Sequence, residues 1–391
     1  MTGGTNEAQL TAPVPSVSAR LIAPISQPVT RFLARLGMTP ADALRILLGY
    51  SIGLLGSLSF VRLGLPLPWF LGSLLICIVA SVARVPFDKP SMLSVPTRAV
   101  LGVTIGAAFT PELIGQFRGM AWSLGLLVPF MIAIMGIGML FFERVAKFDR
   151  PTAFFCAVPG GLTDMVSMAA DAGANTRSVT LVQATRIVLI IAILPFWLQW
   201  GGGRQISGMT PPGQRLTEFL LVDGVMLVAL GWAGWKLAKA VGLAGAPLIG
   251  PMLLSGAAHA LGWTAAKVPL EVLIFAQVTL GILLGSQFRG LTFNEFRTTM
   301  TWGAAFSVIL IAVSLLVALA VSWGTGFHST AVLLAYAPGG QTELNLVAYI
   351  LHLDVAYTAL HHLVRLGIVI MGAQLVLKLN TSWRGRDDQS P

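Results

Sequence analysis

Two short cassettes carry residue types that could do chemistry in an otherwise apolar chain: Ala157-Val158-Pro159-Gly160-Gly161-Leu162-Thr163-Asp164 and Ala337-Pro338-Gly339-Gly340-Gln341-Thr342-Glu343. Each sets Pro and Gly inside a hydrophobic run. Proline removes a backbone donor and clashes with the preceding turn, and glycine adds backbone freedom, so a helix should break there. The break leaves carbonyls at one half-helix end and N–H groups at the start of the next, and such termini carry partial charges that bind ions or anionic groups. Thr163 with Asp164, and Thr342 with Glu343, fall in the first turn after each break, where a hydroxyl can cap and a carboxylate meets the positive helix end. An acid-capped kink can also be purely architectural. The doubling of the whole cassette, with Gly160, Gly161, Gly339 and Gly340 in equivalent places, favours a functional role.

Downstream of each cassette lies an arginine deep in an apolar segment. Arg186 sits about 12 Å into a helix starting near Ser178, at a rise of about 1.5 Å per residue, and so near the midplane of a core about 30 Å thick. Arg365 is similarly deep in the last segment. An unpaired charge at that depth costs roughly 3 kcal/mol on insertion scales, so each arginine needs a partner, and Asp164 and Glu343 are the obvious ones. Two readings follow. Either the four charges are ion pairs that hold the halves together, or they form a site in which arginine binds an anionic group and the carboxylates exchange a proton or a sodium ion. Gln183 and His362 precede the arginines by one helical turn and would line the same cavity. Asn345, Asn175 and Asp354 are weaker candidates, the last two explained by ordinary capping.

The elements that position these residues are read from composition. The 391 residues are 55% apolar and 10% charged, with mean hydropathy +0.80, against roughly 25% charged in soluble domains. Apolar stretches lie near 43–61, 66–83, 95–110, 120–142, 152–170 and 178–199, then 217–238, 246–262, 268–288, 299–323, 329–351 and 355–378. The expected fold is all-α: a polytopic membrane helical bundle with broken or re-entrant Pro-Gly-Gly helices. Residues 1–42 form an N-terminal tail with a short interfacial helix near 31–38. Residues 43–200 and 217–379 form two membrane repeats, 201–216 a polar linker, and 380–391 a C-terminal tail. The net charge of +9 is scattered singly through loops, without the basic stripe of a nucleic-acid surface. It reads as topology-setting charge, and no direct nucleic-acid partner is expected. Cys77 and Cys156 sit in apolar runs as buried thiols, and the histidine spacing gives no metal site. No cofactor is expected.

The halves are related at a fixed offset of 179 residues. It aligns Gly102 with Gly281, Gly106 with Gly285, Phe117-Arg118 with Phe296-Arg297, the two cassettes, and Arg186 with Arg365. The glycines at four-residue spacing suit close helix packing. Lys and Arg crowd the even loops of the first half (Arg84, Lys89, Arg98; Arg144, Lys147, Arg150) and the odd loops of the second (Lys236, Lys239; Arg289, Arg297). Since cytoplasmic loops collect these residues, the halves should be inverted, and the fifth segment of each should fail to cross.

The duplicated Pro-Gly-Gly-x-Thr-Asp/Glu cassette with its downstream arginine resembles the duplicated membrane proteins of the AbrB family, also labelled ammonia monooxygenases, over about residues 45–380. The resemblance implies an association with regulation of gene expression. An oxygenase would need a metal or flavin site, which these residues do not offer, so no enzyme is expected. The leading expectation is a multi-pass secondary transporter of a small anionic or zwitterionic solute in the plasma (inner) membrane of a bacterium. The other is a membrane-embedded protein acting indirectly in regulation. The partners are the lipid bilayer and a small molecule or ion, with room for assembly of copies of the chain.

Overall fold

A computed structural model describes residues 38–109, 113–200, 214–290 and 293–379. Fourteen α-helices run through them: α1 Pro40–Arg62, α2 Ser73–Val82, α3 Ser94–Gly106, α4 Leu113–Leu140, α5 Arg150–Ala157, α6 Leu162–Asp171, α7 Thr176–Trp200, α8 Leu221–Ala240, α9 Ala246–Ala260, α10 Leu270–Gly285, α11 Phe293–Thr325, α12 Ser329–Tyr336, α13 Gln341–Ile350 and α14 Val355–Leu379. Every apolar segment expected from sequence coincides with one of these helices or a pair of them. Seven of the described helices are long and apolar enough to cross a hydrocarbon core, so the protein is a multi-span integral membrane protein. Their outer faces expose Trp122, Ile132, Leu221 and Trp323 for contact with lipid. The expected helix at 31–38 and most of the polar linker lie outside the described residues. The first helix begins at Pro40 rather than 43, because Thr39 and Asp42 form a reciprocal capping box ahead of a proline at the first helical position. The second series begins at Leu221 rather than 217, after a 3-10 turn at Leu216–Glu218. That turn is tied to α10 by the Leu216 N–H to the Glu271 carboxylate at 3.0 Å.

Both cassettes break their helices where proline dictates. Val158 and Ala337, each preceding a proline, adopt extended backbone (ψ 120° and 125°) and end α5 and α12, because proline excludes the helical region for the residue before it. Gly161 and Gly340 then serve as extended N-caps of α6 and α13. The hydrogen bonds show which way the halves of each broken segment run. Thr152, at the start of α5, accepts from the Asn175 N–H just ahead of α7 (2.9 Å), and deeper in, Gln183 of α7 donates to the carbonyls of Phe155 and Val158 at the end of α5. Helices α5 and α7 therefore run side by side in one direction, and α6 must return. The second segment does the same. The Phe327 ring packs, tilted, 4.6 Å from that of Tyr357 at the mouth, while the Leu334 and Ala337 carbonyls meet His362 and Arg365. Both segments are helix-break-helix hairpins whose two ends lie on one side.

The long helices place the two mouths at opposite ends. The start of α4 lies against the far hairpin, Gly119 beside the Phe327 ring and Ser123 hydrogen-bonded to Tyr357 (2.5 Å). About 28 Å further along it, at 1.5 Å per residue, Gly138 lies against Ala157 and Phe306, and the chain then turns at Asp149 into α5. Helix α11 runs the other way. Its early residues Trp302 and Phe306 pack on Phe141 and Phe142, and its last turn leads to Phe327. The glycines do what their spacing suggests. Gly102 and Gly106 of α3 sit against the backbone of α9, and Gly281 and Gly285 of α10 against Phe70–Cys77 around the start of α2.

Candidate functional site

The tips of both hairpins line one cavity of about 370 Å³. Gly160, Gly161 and Asp164 come from the first, and Gly339, Gly340, Thr342 and Glu343 from the second, with His362 and Arg365 from α14. Arg186 and Arg365 each lie ten residues into a 25-residue helix, about 15 Å from its start at the helical rise. Because these arginines hydrogen-bond the tips, the cavity sits near mid-depth. Of the residues expected at a site, nine line it. Gln183 and Arg186 do not: both are buried behind the first tip, 0% and 1% exposed. For Thr163 only the backbone, in the first turn of α6, falls within the description.

The arginines correct the sequence-based expectation. Neither pairs with a carboxylate. Among the described residues the ion pairs are Arg45–Asp88, Arg289–Asp88 and Arg150–Glu143, all away from the cavity. Arg186 instead donates to the Gln183 side-chain oxygen (2.5 Å) and the Val158 carbonyl (3.4 Å). Arg365 donates to the carbonyls of Ala337 (2.6 Å) and Gly339 (3.2 Å). Each guanidinium thus caps the carbonyl end of the first half-helix, where the helix dipole is negative and the last carbonyls lack intrahelical partners. The pattern recurs at the 179-residue offset. Gln183 to Phe155 and His362 to Leu334 are equivalent bonds 28 residues apart, as are Arg186 to Val158 and Arg365 to Ala337.

The carboxylates sit on the amide side of each break. An added Cβ on Gly161 would come within 2.8 Å of the Asp164 carboxylate, and one on Gly340 would overlap that of Glu343. Each acid therefore folds back over the bare Cα of its own N-cap glycine, where the positive end of the half-helix favours a negative charge. A Cβ at either position would push the carboxylate aside. Each tip is flanked by a cation at its carbonyl end and an anion at its amide end. Arg98 lines the same cavity as Glu343.

Three lining residues with hydrogen-bonding side chains escape sequence reasoning: Arg98, Gln287 and Gln341. Arg98 reads as a loop charge, yet it stands one turn inside α3, held by Ser94 at 2.7 Å. Its position inside the helix start at Ser94 is the signal that could have found it. Nothing in the sequence brings Gln287, next to α10, to the hairpin tips. Outside the cavity lining, Ser123, Tyr336, Tyr357 and His361 form a buried hydrogen-bonded cluster that joins α4, α12 and α14. Asn175 and Asp354 act as helix caps, accepting from the Ser178 and Tyr357 N–H groups.

A family model described as "Transition state regulatory protein AbrB" matches residues 69–380. The "Uncharacterized protein YhjN" of Bacillus subtilis (strain 168) is 26% identical over 330 residues, 78% of this chain and 85% of its own length. The "Putative regulator AbrB" of Escherichia coli (strain K12) is 24% identical over 347 residues, 84% of this chain and 95% of its own. The match takes in both hairpins and the helices that hold them, and the chain belongs to the AbrB family of membrane proteins.

Proposed function

We propose that the protein is a secondary transporter of a small anionic or zwitterionic solute, built from two inverted repeats and working in the inner membrane of a bacterium. The observation that carries this reading is the meeting of two re-entrant hairpin tips, entering from opposite ends of α4, in one cavity that contains Asp164, Glu343 and Arg365. Irregular backbone at membrane depth is tolerated where it lines a cavity, and half-helix ends at the midplane of inverted repeats are a recurring way to hold solutes and coupling ions. The two carboxylates are the candidate coupling groups, and the arginines hold the tips in place. The site is read as a binding site without bond-making chemistry.

The charges support the inverted arrangement. Arg45 and Arg289 share Asp88, and α11 starts after Arg289 at the end where α4 finishes in Arg144, Lys147 and Arg150. Basic loops of both halves thus gather at one end, which the positive-inside rule makes cytoplasmic. Arg98, Gly245, Pro247 and Gln287 also line the cavity and belong to helix ends on that side, which fits a site reached from the cytoplasm. Proteoliposomes offered a labelled cell metabolite extract should take up at least one solute class in excess of empty liposomes, and Glu343→Gln should abolish the excess. Uptake equal to that of empty liposomes would overturn the reading.

The family description and the name of the Escherichia coli relative favour a second reading, a membrane-embedded protein acting indirectly on gene expression. It expects a truncation of residues 1–38 to remove the cellular phenotype while the protein still inserts. The transport reading expects the phenotype to persist.

A further inference from the structure

His362 is 1% exposed and lines the cavity. Its Nε2 lies 3.0 Å from the Leu334 carbonyl. A carbonyl only accepts, so Nε2 carries the hydrogen and Nδ1 keeps its lone pair. Among the described residues nothing donates to that buried Nδ1; the Gln341 backbone, the other group facing the ring, meets it with a carbonyl, which also only accepts. Buried polar atoms are almost always paired, so an orphan beside a cavity points to a missing partner that donates. The neighbouring cavity groups divide into two sets. His362 Nδ1 and the carboxylates of Asp164 and Glu343 accept. Gln341 Nε2, also buried and without a described partner, donates, as do the half-buried guanidinium of Arg98, whose Nη1 holds Ser94, and the guanidinium of Arg365, which is already engaged by the Ala337 and Gly339 carbonyls.

We infer that the cargo is a small amino-acid-like zwitterion whose ammonium group donates to His362 Nδ1 and the two carboxylates, and whose carboxylate accepts from Arg98 and Gln341. This rests on the transport reading and narrows it, setting aside simple anions. An anion without the ammonium group leaves Nδ1 without a donor. An amine without the carboxylate leaves Gln341 and Arg98 unanswered. The residue at the equivalent position in the first half shows what a replacement must do. Gln183 donates through Nε2 to Phe155 and Val158 and presents its oxygen to a cation, Arg186. A glutamine at 362 can likewise hold Leu334 and offer an acceptor to the cavity.

The test uses the full chain purified in detergent and its thermal unfolding midpoint, which a ligand of the native state raises. Three matched pools serve as probes: the common amino acids, the 2-hydroxy acids in which hydroxyl replaces ammonium, and the amines lacking the carboxylate. The amino-acid pool should raise the midpoint, with half-saturation at least tenfold lower than for either analogue pool. His362→Phe should lose the response and His362→Gln should keep it. A hydroxy-acid response as strong as the amino-acid response, or an unchanged response in His362→Phe, overturns the zwitterion while leaving transport of an anion standing. Silence from all three pools also overturns it, and the transport reading is then judged separately by the uptake of metabolite extract.

Discussion

At the scale of single residues, the determinants of the site are two glycines, two acids and two arginines. Gly340 leaves the space into which the Glu343 carboxylate folds, and Gly340→Ala drives a methyl group into that space. This variant should insert and fold but lose transport, whereas Gly367→Ala and Gly372→Ala, where nothing lies within 4 Å of the added carbon, should leave uptake unchanged. The uptake assay above checks both. Arg365 satisfies two carbonyls, and its removal leaves both without that donor, at about 1–3 kcal/mol per unpaired buried group. Arg365→Leu should therefore lower stability by roughly 2–5 kcal/mol, read as a lower denaturation midpoint. Arg186→Leu should act in the same direction, by releasing Val158 and Gln183. An Arg186 variant with unchanged stability would contradict the hydrogen bonds that hold the first tip.

At the scale of elements, proline and small residues decide the architecture. Pro159 and Pro338 end α5 and α12 through the residue before each, and without that stop the apolar runs of segment five would have no reason to turn back at mid-depth. Close contact between α3 and α9, and between α10 and the start of α2, depends on Gly102, Gly106, Gly281 and Gly285. A Cβ at Gly285 would lie 2.6 Å from Cys77. Gly102→Val and Gly285→Val should each destabilise the protein by about 1–3 kcal/mol or more through overpacking. Gly125→Val and Gly136→Val, with open space around the added carbon, should be nearly neutral apart from helix propensity. Thermal unfolding in one detergent compares the four.

For the whole molecule, the consequence is topological. The end of α4 and the start of α11 share one end of the bundle, and the end of α11 reaches the other. In a background with Cys77 and Cys156 replaced, Arg144→Cys and Arg297→Cys should react with a membrane-impermeant maleimide from the cytoplasmic side. Gly324→Cys, in open space near the end of α11, should react from the opposite side. Labelling of all three from one side would remove the opposed hairpins.

Much of this was legible in the chain because membrane insertion leaves strong local marks. Long apolar runs must be helices, since lipid satisfies no backbone group. Pro-Gly-Gly must interrupt them, and two copies at one offset announce equivalent elements. Charge bias in the loops carries the inverted reading, which the labelling experiment tests, because each charge reports only its own side of the membrane. Partners were another matter. Opposite charges at similar depth suggested ion pairs, but local composition cannot say that a guanidinium will find the carbonyls of a broken helix first. The cavity's make-up was equally out of reach: Arg98 and Gln287 reach the hairpin tips only once two distant segments pack. Segment identity is a local property of solvation and backbone bonding, whereas the pairing of buried polar groups depends on which neighbour is nearest, and only the tertiary structure decides that.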